Sequence, residues 1–544
     1  MDIEEKKNSK TIPELIIIKD IVETKLSKLS SLLDISSTLP QMKNYPLEKF
    51  IDKTVNGIPE NFDPHKRQLA KEILSGYKEL SLIGFILPTG DVYMYEPFDR
   101  QENLTTSNLG FRDYFKESLN TGKTYLSDVI VSKSAHRSLI VLATPVFYDN
   151  QTIGIIIGTI NLDIFDKFLQ SISIPDNYRI LILDKNGVKL GDSDANKIPS
   201  ISNKTVNPEH NYSFLKSFKN AVDGDESFLK EKIDNNTAII SYVPYSISQN
   251  TGVILLVQEC LDMEESKNIH SKNIEFCDNV ESKMIDGSSL LFDKQMLVEL
   301  LSLNIMEYIQ NAETLLYTTS KLPQITENIK PELINSTING INNFEGMEKR
   351  DIAKSILSNT TLFESVFLLL DNGDMYLDEP FYRQENLTRD NFAIRDYYKQ
   401  VTATKKPSLG NSIVSAATGK HQANLAVPIF SEKDSLVGIW AGGLNLTSIS
   451  EIIQNFNITK DEKELVLYLD GNGSTIGVSN INLLNKITNN TEFDFSTLQS
   501  FIRGSQGNSG YVLDTILDKK YEITYHPVKI IDKTWLVLLI SDIN

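Results

Sequence analysis

The chain has 544 residues, 54 Lys and Arg against 72 Asp and Glu for a formal net charge of −18, and 40% hydrophobic residues. That length exceeds what one hydrophobic core supports, and the apolar content is that of an ordinary folded protein, so several domains are implied and disorder is excluded. The acidic balance, with no face of clustered Lys and Arg, excludes a nucleic-acid binder.

From Pro13 to about Leu39, Leu15, Ile18, Val22, Leu26, Leu29 and Leu33 recur at helical spacing, which predicts a long amphipathic helix. A second helix is expected over Lys66–Tyr77. Strands follow at Leu80–Leu87 and Val92–Tyr95, joined by the turn Pro88-Thr-Gly-Asp. Strand-like runs at Tyr125–Ser132, Ser138–Phe147 and Ile153–Asn161, then a short helix from Leu162 to Ile172, complete a five-stranded antiparallel sheet. A smaller unit comes next. Tyr178 to Leu190 reads as strand, Asn-Gly turn, strand; Phe214–Ala221 as helix; Thr237–Tyr245 and Thr251–Gln258 as strands. After Glu259 the chain turns acidic and polar as far as Gly287, and then the programme restarts. Met296–Leu322 repeats the long helix, Arg350–Leu357 the second helix and Leu362–Leu370 the first strand, and the chain ends on the apolar strand Trp535–Ile540.

The restart is a duplication. Gly90-Asp-Val-Tyr-Met-Tyr-Glu-Pro-Phe-Asp-Arg-Gln-Glu-Asn-Leu-Thr and Phe111-Arg-Asp-Tyr-Phe-Lys116 return as Gly373-Asp-Met-Tyr-Leu-Asp-Glu-Pro-Phe-Tyr-Arg-Gln-Glu-Asn-Leu-Thr and Ile394-Arg-Asp-Tyr-Tyr-Lys399, a period of about 283 residues. The smaller unit repeats too: Leu183-Asp-Lys-Asn-Gly187 matches Leu469-Asp-Gly-Asn-Gly473. These two loops lack the closing bidentate acid of a calcium loop and read as hairpin turns. No His/Cys cluster suits zinc, no phosphate-binding glycine loop or nucleophile elbow occurs, and no cofactor is implied, so the chain is not read as an enzyme. Cys260 and Cys277 can pair or stand as two free thiols; their number alone makes no disulfide framework. No window of 18 or more apolar residues occurs, and the start lacks a hydrophobic signal region, so the chain is expected either to be soluble as it stands or to belong to a protein whose anchors lie elsewhere.

A long N-terminal helix, a larger sheet carrying Arg-Asp-Tyr-Phe/Tyr, the Pro145-Val strand, the Gly-x-x-x-Gly-Thr-Ile-Asn-Leu-Asp run and a smaller sheet with an Asp-x-Asn-Gly hairpin together resemble a double Cache (dCache) sensor domain. The Glu-Pro-Phe-x-Arg-Gln-Glu-Asn-Leu-Thr segment is similar to archaeal versions of that fold. The resemblance implies an α+β chain of two tandem dCache modules, each a long helix plus two PAS-like antiparallel-sheet subdomains. The first module would span 13–260, with a larger subdomain at about 80–172 and a smaller one at about 176–258. An acidic linker, 261–289, precedes the second module at 290–544, with subdomains at about 362–455 and 463–542.

The family's amino-acid-binding members use an Arg, an aromatic two residues on and an Asp after the last strand. Their roles are to fork a carboxylate, to wall the ligand and to pair its ammonium. The resemblance carries these roles to Arg112, Tyr114 and Asp163, and in the second copy to Arg395 and Tyr397, where the Asp position is Thr447. Tyr93, Asp128 and Tyr398 join them as candidate contacts. The bland alternatives are that Arg112 and Arg395 brace a loop by pairing with Glu96 and Glu379, that Asp163 caps a helix, and that Arg100 and Arg383 hold a loop or lid. The expected function is extracytoplasmic sensing of a small polar metabolite (an amino acid, amine or carboxylate), with a membrane anchor or signalling partner outside the chain, or a homodimer. The alternative is a cell-surface scaffold with degenerate pockets.

Overall fold

The computed structural model describes residues 12–44, 46, 48–132, 137–194, 211–234, 236–248, 250–260, 276–286, 294–456 and 463–543. The chain divides into two compact units, one of Met1–Leu33, Lys43–Arg67 and Lys78–Leu300, the other of Asp34–Met42, Gln68–Tyr77 and Leu301–Asn544.

In the first unit the larger sheet comprises β1 (Leu80–Ile86), β2 (Val92–Glu96), β3 (Tyr125–Leu126), β4 (Ile130–Ser132), β5 (Arg137–Tyr148) and β6 (Gln151–Asn161). Its order is β2-β1-β6-β5-β3, with β4 also on β5. The single strand expected over Tyr125–Ser132 is two. Between them Ser127 takes the Val141 N–H on its hydroxyl, and the Val129 N–H turns to Asp184 in the smaller sheet. One face packs on the long helix Pro13–Thr38, and a Cβ on Gly158 would stand 3.2 Å from Leu33. The other face carries Leu82, Tyr95, Leu139, Val141 and Ile157, which form one buried cluster with Tyr114 and Phe115 of helix Asp113–Thr121.

The smaller sheet runs β8 (Lys189–Asp192), β7 (Tyr178–Asp184), β11 (Asn250–Glu259), β10 (Asn236–Ile247), β9 (Ser227–Ile233). Strand β9, Ser-Phe-Leu-Lys-Glu-Lys-Ile, escapes the sequence reading because it is a half-exposed edge whose charges interrupt the apolar alternation. Asp184 accepts the N–H groups of Asn186 (2.9 Å) and Val188 (2.8 Å), so this loop is a capped hairpin. The stretch expected as a linker holds a helix, Cys277–Asp286, and Cys260 and Cys277 are disulfide-bonded with their Cα atoms 5.0 Å apart. Cys277 and Val280 bury against Ile239 and Phe228, the apolar contact that orders a helix in an otherwise acidic stretch.

The second unit repeats the plan after the long helix Lys294–Thr319. Its larger sheet has β12 (Phe363–Leu370), β13 (Met375–Glu379), β14 (Ser408–Leu409), β17 (Asn424–Phe430) and β18 (Leu436–Leu444), while β15 (Ile413–Val414) and β16 (His421–Gln422) pair separately. The smaller sheet has β19 (Glu464–Leu469), β20 (Thr475–Val478), β21 (Gly510–Ile516), β22 (Lys519–Ile530) and β23 (Lys533–Asp542). Both larger sheets share one order of their five main strands, as do the smaller ones. Among the described residues no helix is long and apolar enough to cross a membrane.

Candidate functional site

The repeated Glu-Pro-Phe-x-Arg-Gln segment is held by a buried lock. Arg67, from helix Pro64–Gly76, donates to Glu96 Oε1 (2.7 Å), to the Ile58 carbonyl (2.9 Å) and to Gln101 Oε1 (3.3 Å). Gln101 donates to the carbonyls of Val55 and Ile58 (both 2.8 Å) and accepts the Tyr95 N–H (3.0 Å). The second unit repeats this with Arg350 on Glu379 (2.6 Å), Ile341 (2.9 Å) and Gln384 (3.1 Å). Both Glu-Pro bonds are cis. A guanidinium and a carboxylate this deep must satisfy one another. Glu96 and Glu379 therefore belong to Arg67 and Arg350, and they do not brace Arg112 and Arg395.

Beside the lock in the first unit lies a cavity of about 60 Å³, between the inner face of the larger sheet and the segment leading into helix Asp113–Thr121. Leu82, Leu139, Val141 and Ile157 give it an apolar floor; Ser81, Thr105, Thr106, Ser132 and Thr159 give it hydroxyls. Tyr95, Tyr114, Arg100 and Arg112 complete the wall, and none of the described lining residues is acidic. Arg112 directly precedes its helix, its guanidinium carbon lies 5.0 Å from the Phe111 ring, and its buried Nε has no hydrogen-bond partner among the described residues. Burial pushes the Tyr114 hydroxyl up to about 12, with the nearby Arg112 charge opposing. Burial likewise raises Tyr95 well above its ordinary value; Tyr114 adds to the rise and Arg112 opposes it.

The corresponding cavity of the second unit is about 30 Å³ and has a different wall. Arg383, Arg395 and Tyr397 stand where Arg100, Arg112 and Tyr114 stand, but Asp378 replaces Tyr95, and Gln422 and Asn424 replace Leu139 and Val141. Arg383 donates to Gln422 Oε1 (2.7 Å) and lies 3.9 Å from Asp378; Gln422 donates to Asn424 Oδ1 (2.7 Å). Burial drives the Asp378 carboxyl up to about 7, with the Arg383 charge opposing. The exchange is compensated across strands. In the first unit Gly84 on β1 faces Tyr95 on β2, and a Cβ on Gly84 would meet the Tyr95 ring at 2.4 Å. In the second, Phe367 faces Asp378, so the ring has moved to the neighbouring strand. Phe367 packs edge-on to Tyr397, 6.4 Å between centroids.

Of the residues expected to touch ligand, Arg112 and Tyr114 meet at the first cavity and Arg395 and Tyr397 at the second. The others lie elsewhere. Tyr93 is passed over in the pairing of β1 with β2, where Phe85 faces Met94 and Ile86 faces Val92. This bulge turns Tyr93 to the face opposite Tyr95, against Phe85 and with its hydroxyl 3.1 Å from Asp63. Asp128 sits where the two sheets of the unit meet, paired with Lys185 (3.3 Å) and accepting from Asn250 (3.2 Å). Asp163 is the first residue of helix Asp163–Gln170, directly after the cap position Leu162, and the Phe165 of that helix packs on Gly191 of β8. Tyr398 donates its hydroxyl to the Asp371 carbonyl (2.6 Å), away from the cavity.

The sequence reading passed over Tyr95, Asp378 and Gln422. Arg100 and Arg383, read as loop holders, line the cavities, and the holding falls to the adjacent Gln101 and Gln384; successive helical residues point about 100° apart. Among the described residues no group of three or more His, Cys, Asp and Glu is arranged to hold a metal ion.

Comparison with known proteins adds the following. A profile of the dCache type, described as Cache domain, matches residues 18–260 and again 282–543. No curated protein matches the chain. Among solved structures, the ligand-binding domain of the Pseudomonas fluorescens chemoreceptor CtaA in complex with L-isoleucine is similar at 15% identity, covering 46% of this chain and 90% of that one, with a TM-score of 0.32. The ligand-binding domain of the Pseudomonas aeruginosa PAO1 amino acid chemoreceptor PctB in complex with L-Arg is similar at 13% identity, covering 45% and 85%, with a TM-score of 0.33. That of PctC from the same organism, in complex with GABA, is similar at 16% identity, covering 45% and 96%, with a TM-score of 0.31.

Proposed function

The chain belongs to the Cache domain family through both of its halves, a family of small-molecule sensors rather than enzymes, and from that premise we propose that its first larger subdomain senses a small organic carboxylate. What carries the reading is the wall of the first cavity: two guanidinium groups, Arg100 and Arg112, several hydroxyls, an apolar floor, and no acidic group among the described lining residues. A guanidinium fork matches a carboxylate with two parallel hydrogen bonds, and the buried, unpartnered Arg112 Nε is a donor ready for one. The floor takes a short hydrocarbon body. A ligand ammonium finds no counter-charge there, because Asp163 lies on the helix against the smaller sheet. This narrows the expected amino acid, amine or carboxylate to the last for this cavity.

Binding would act as a population shift: the bound state draws the Arg112 segment onto the sheet and biases the packing of the long helix on the opposite face, for relay to a signalling partner. An extracytoplasmic setting is supported by the family, whose domains are typically extracytoplasmic, and by the Cys260–Cys277 disulfide, a bond that persists in oxidising compartments. Two modules at 13–260 and 290–544, a membrane anchor or partner beyond the chain, and a homodimer complete the proposal.

The test is thermal shift and calorimetry of the whole chain with acetate, propionate, butyrate and succinate, against ethylamine as a cationic control. A carboxylate at about a hundred times its dissociation constant should add about 2.7 kcal/mol of stability, and Arg112→Ala should remove that gain. If no carboxylate binds, or if binding survives Arg112→Ala unchanged, the assignment is wrong.

A further inference from the structure

Each unit joins its larger sheet to its smaller one through a carboxylate that serves both. In the first unit Asp184 closes the β7–β8 hairpin with Oδ1, which accepts the Asn186 and Val188 N–H groups, while Oδ2 leaves the sheet to accept the Val129 N–H at 3.1 Å. Asp470 does the same between β19 and β20: Oδ1 accepts the Asn472 and Ser474 N–H groups, both at 2.9 Å, and Oδ2 accepts the Ser412 N–H at 2.7 Å. The two aspartates are 5% and 0% exposed. The residue after each gripped amide, Ile130 or Ile413, lines the cavity of its unit. Just before that residue the chain has left its own ladder, because β3 stops at Leu126 and β14 at Leu409, so its N–H groups need partners elsewhere. A second hairpin holds the start of the same segment. Asn250 of β11 donates to the Leu126 carbonyl (2.8 Å) and to Asp128 (3.2 Å); in the second unit Asp532, between β22 and β23, accepts the Leu409 N–H (3.1 Å) and the Ser408 hydroxyl (2.7 Å). The residues of this second contact differ between the units, whereas the aspartate of the first is the same in both.

We propose that Asp184 and Asp470 are positioning residues for the two cavities: from the smaller sheet each fixes the strand that walls the cavity of the larger one, and so couples the cavity to the smaller sheet's first hairpin. A hydrogen bond from an amide to a carboxylate is about twice as strong as a neutral one. Neither carboxylate can follow a displaced amide freely, because its other oxygen already holds two N–H groups of the hairpin. A shift of Ile130 at the cavity wall moves Val129, and that motion either pulls the β7–β8 hairpin along or breaks the bond; both change the smaller sheet. By linkage, whatever shifts the hairpin changes affinity at the cavity by the same factor. The Asp-x-Asn-Gly loop, present in both halves, thus does more than turn the chain. The proposal extends the relay from the first cavity, and its ligand response rests on that cavity binding a carboxylate; the positioning itself does not.

The experiment is amide hydrogen exchange of the whole chain, read by mass spectrometry, in Asp184→Asn and Asp470→Asn. Asparagine keeps one carbonyl oxygen for the hairpin N–H groups and presents an NH2 donor to the amide that Oδ2 accepted. Exchange over 129–132 should quicken by about tenfold or more in Asp184→Asn, the loss of one hydrogen bond to a charged group, while 412–415 is unchanged; Asp470→Asn should show the reverse. Asp470→Asn decides alone should Asp184→Asn not fold. Propionate should slow exchange over both 129–132 and the hairpin 184–189 in the wild-type chain. In Asp184→Asn the hairpin should no longer respond, which a mere loss of stability would not produce, and propionate affinity should fall by about fivefold or more. The inference is overturned if exchange over the gripped segments is the same in wild type and variants, or if the hairpin still responds to propionate in Asp184→Asn. If the wild-type chain does not bind propionate, the carboxylate reading fails, and the positioning stands or falls on the exchange of 129–132 and 412–415 alone.

Discussion

The two larger-sheet cavities share a frame and differ in their walls, and the division between what is shared and what differs follows burial and connectivity. The lock of Arg67, Glu96 and Gln101 is matched partner for partner by Arg350, Glu379 and Gln384. The Arg and Gln members of that lock satisfy buried backbone groups as well as side chains, so changing one leaves several others unpaired. The wall is freer. Tyr95 gives way to Asp378 because Gly84 gives way to Phe367, and ring volume is conserved across one strand pair while charge is introduced. Likewise Gln422 is admitted because residue 443 is glycine: a Cβ there would stand 1.6 Å from Gln422 Nε2, where the first unit has Thr159. Paired exchanges of this kind let a duplicated fold change the residues that wall its cavity without changing its sheets.

The comparison can be broken most forcefully at the lock. Arg67→Ala and Arg350→Ala should each destabilise their own unit by about 3–5 kcal/mol, the cost of stranding a buried carboxylate. Urea unfolding followed by hydrogen exchange in each unit would measure this, and a large loss in one unit beside none in the other would refute the equivalence. A smaller effect separates the walls. The folded pKa of Asp378 is raised to about 7 by burial, with Arg383 and Arg350 opposing and Glu379 reinforcing. The folded chain therefore holds a proton that the unfolded chain releases near pH 4, and Asp378 makes stability fall as pH rises from about 4 to about 7, with a slope approaching 1.4 kcal/mol per pH unit. Denaturation midpoints across that window should show the slope, Asp378→Asn should flatten it, and a variant that keeps the full slope would show that other groups cause it. The smallest effect lies at the helix after the last strand. Asn445 caps helix Leu446–Asn455 by accepting the Ser448 N–H at 3.2 Å, whereas the Oδ1 of its counterpart Asn161 is buried without a hydrogen-bond partner among the described residues. Asn445→Ala should cost about 1 kcal/mol and Asn161→Ala less; equal losses in chemical denaturation would count against the distinction.

Much of the fold was legible because its signals are local. The long helices announced themselves by apolar spacing, observed at Pro13–Thr38 and Lys294–Thr319, and the hairpin turns by Asn-Gly. The readings that missed depended on neighbours. Strand β9 is defined by its pairing with β10 rather than by its own alternation, and the helix Cys277–Asp286 by the apolar patch it covers. Tyr93 and Tyr95, two residues apart, would share a face in a regular strand, and one bulge separates them.

By itself the sequence determined the duplication and the α+β plan of each half, and it set Arg112 two residues before Tyr114 and Arg395 two before Tyr397 in the repeated motif, because periodicity, turn chemistry and repeated motifs are properties of contiguous residues. Only the tertiary structure decided which charges face which cavity. It drew Glu96 and Glu379 into the lock, left Asp163 on a helix against the smaller sheet, and brought Asp378 to the wall beside Arg383. The physical reason is that an ionisable side chain takes its meaning from the partner it reaches across the fold, and that partner is set by strand register and burial rather than by distance along the chain.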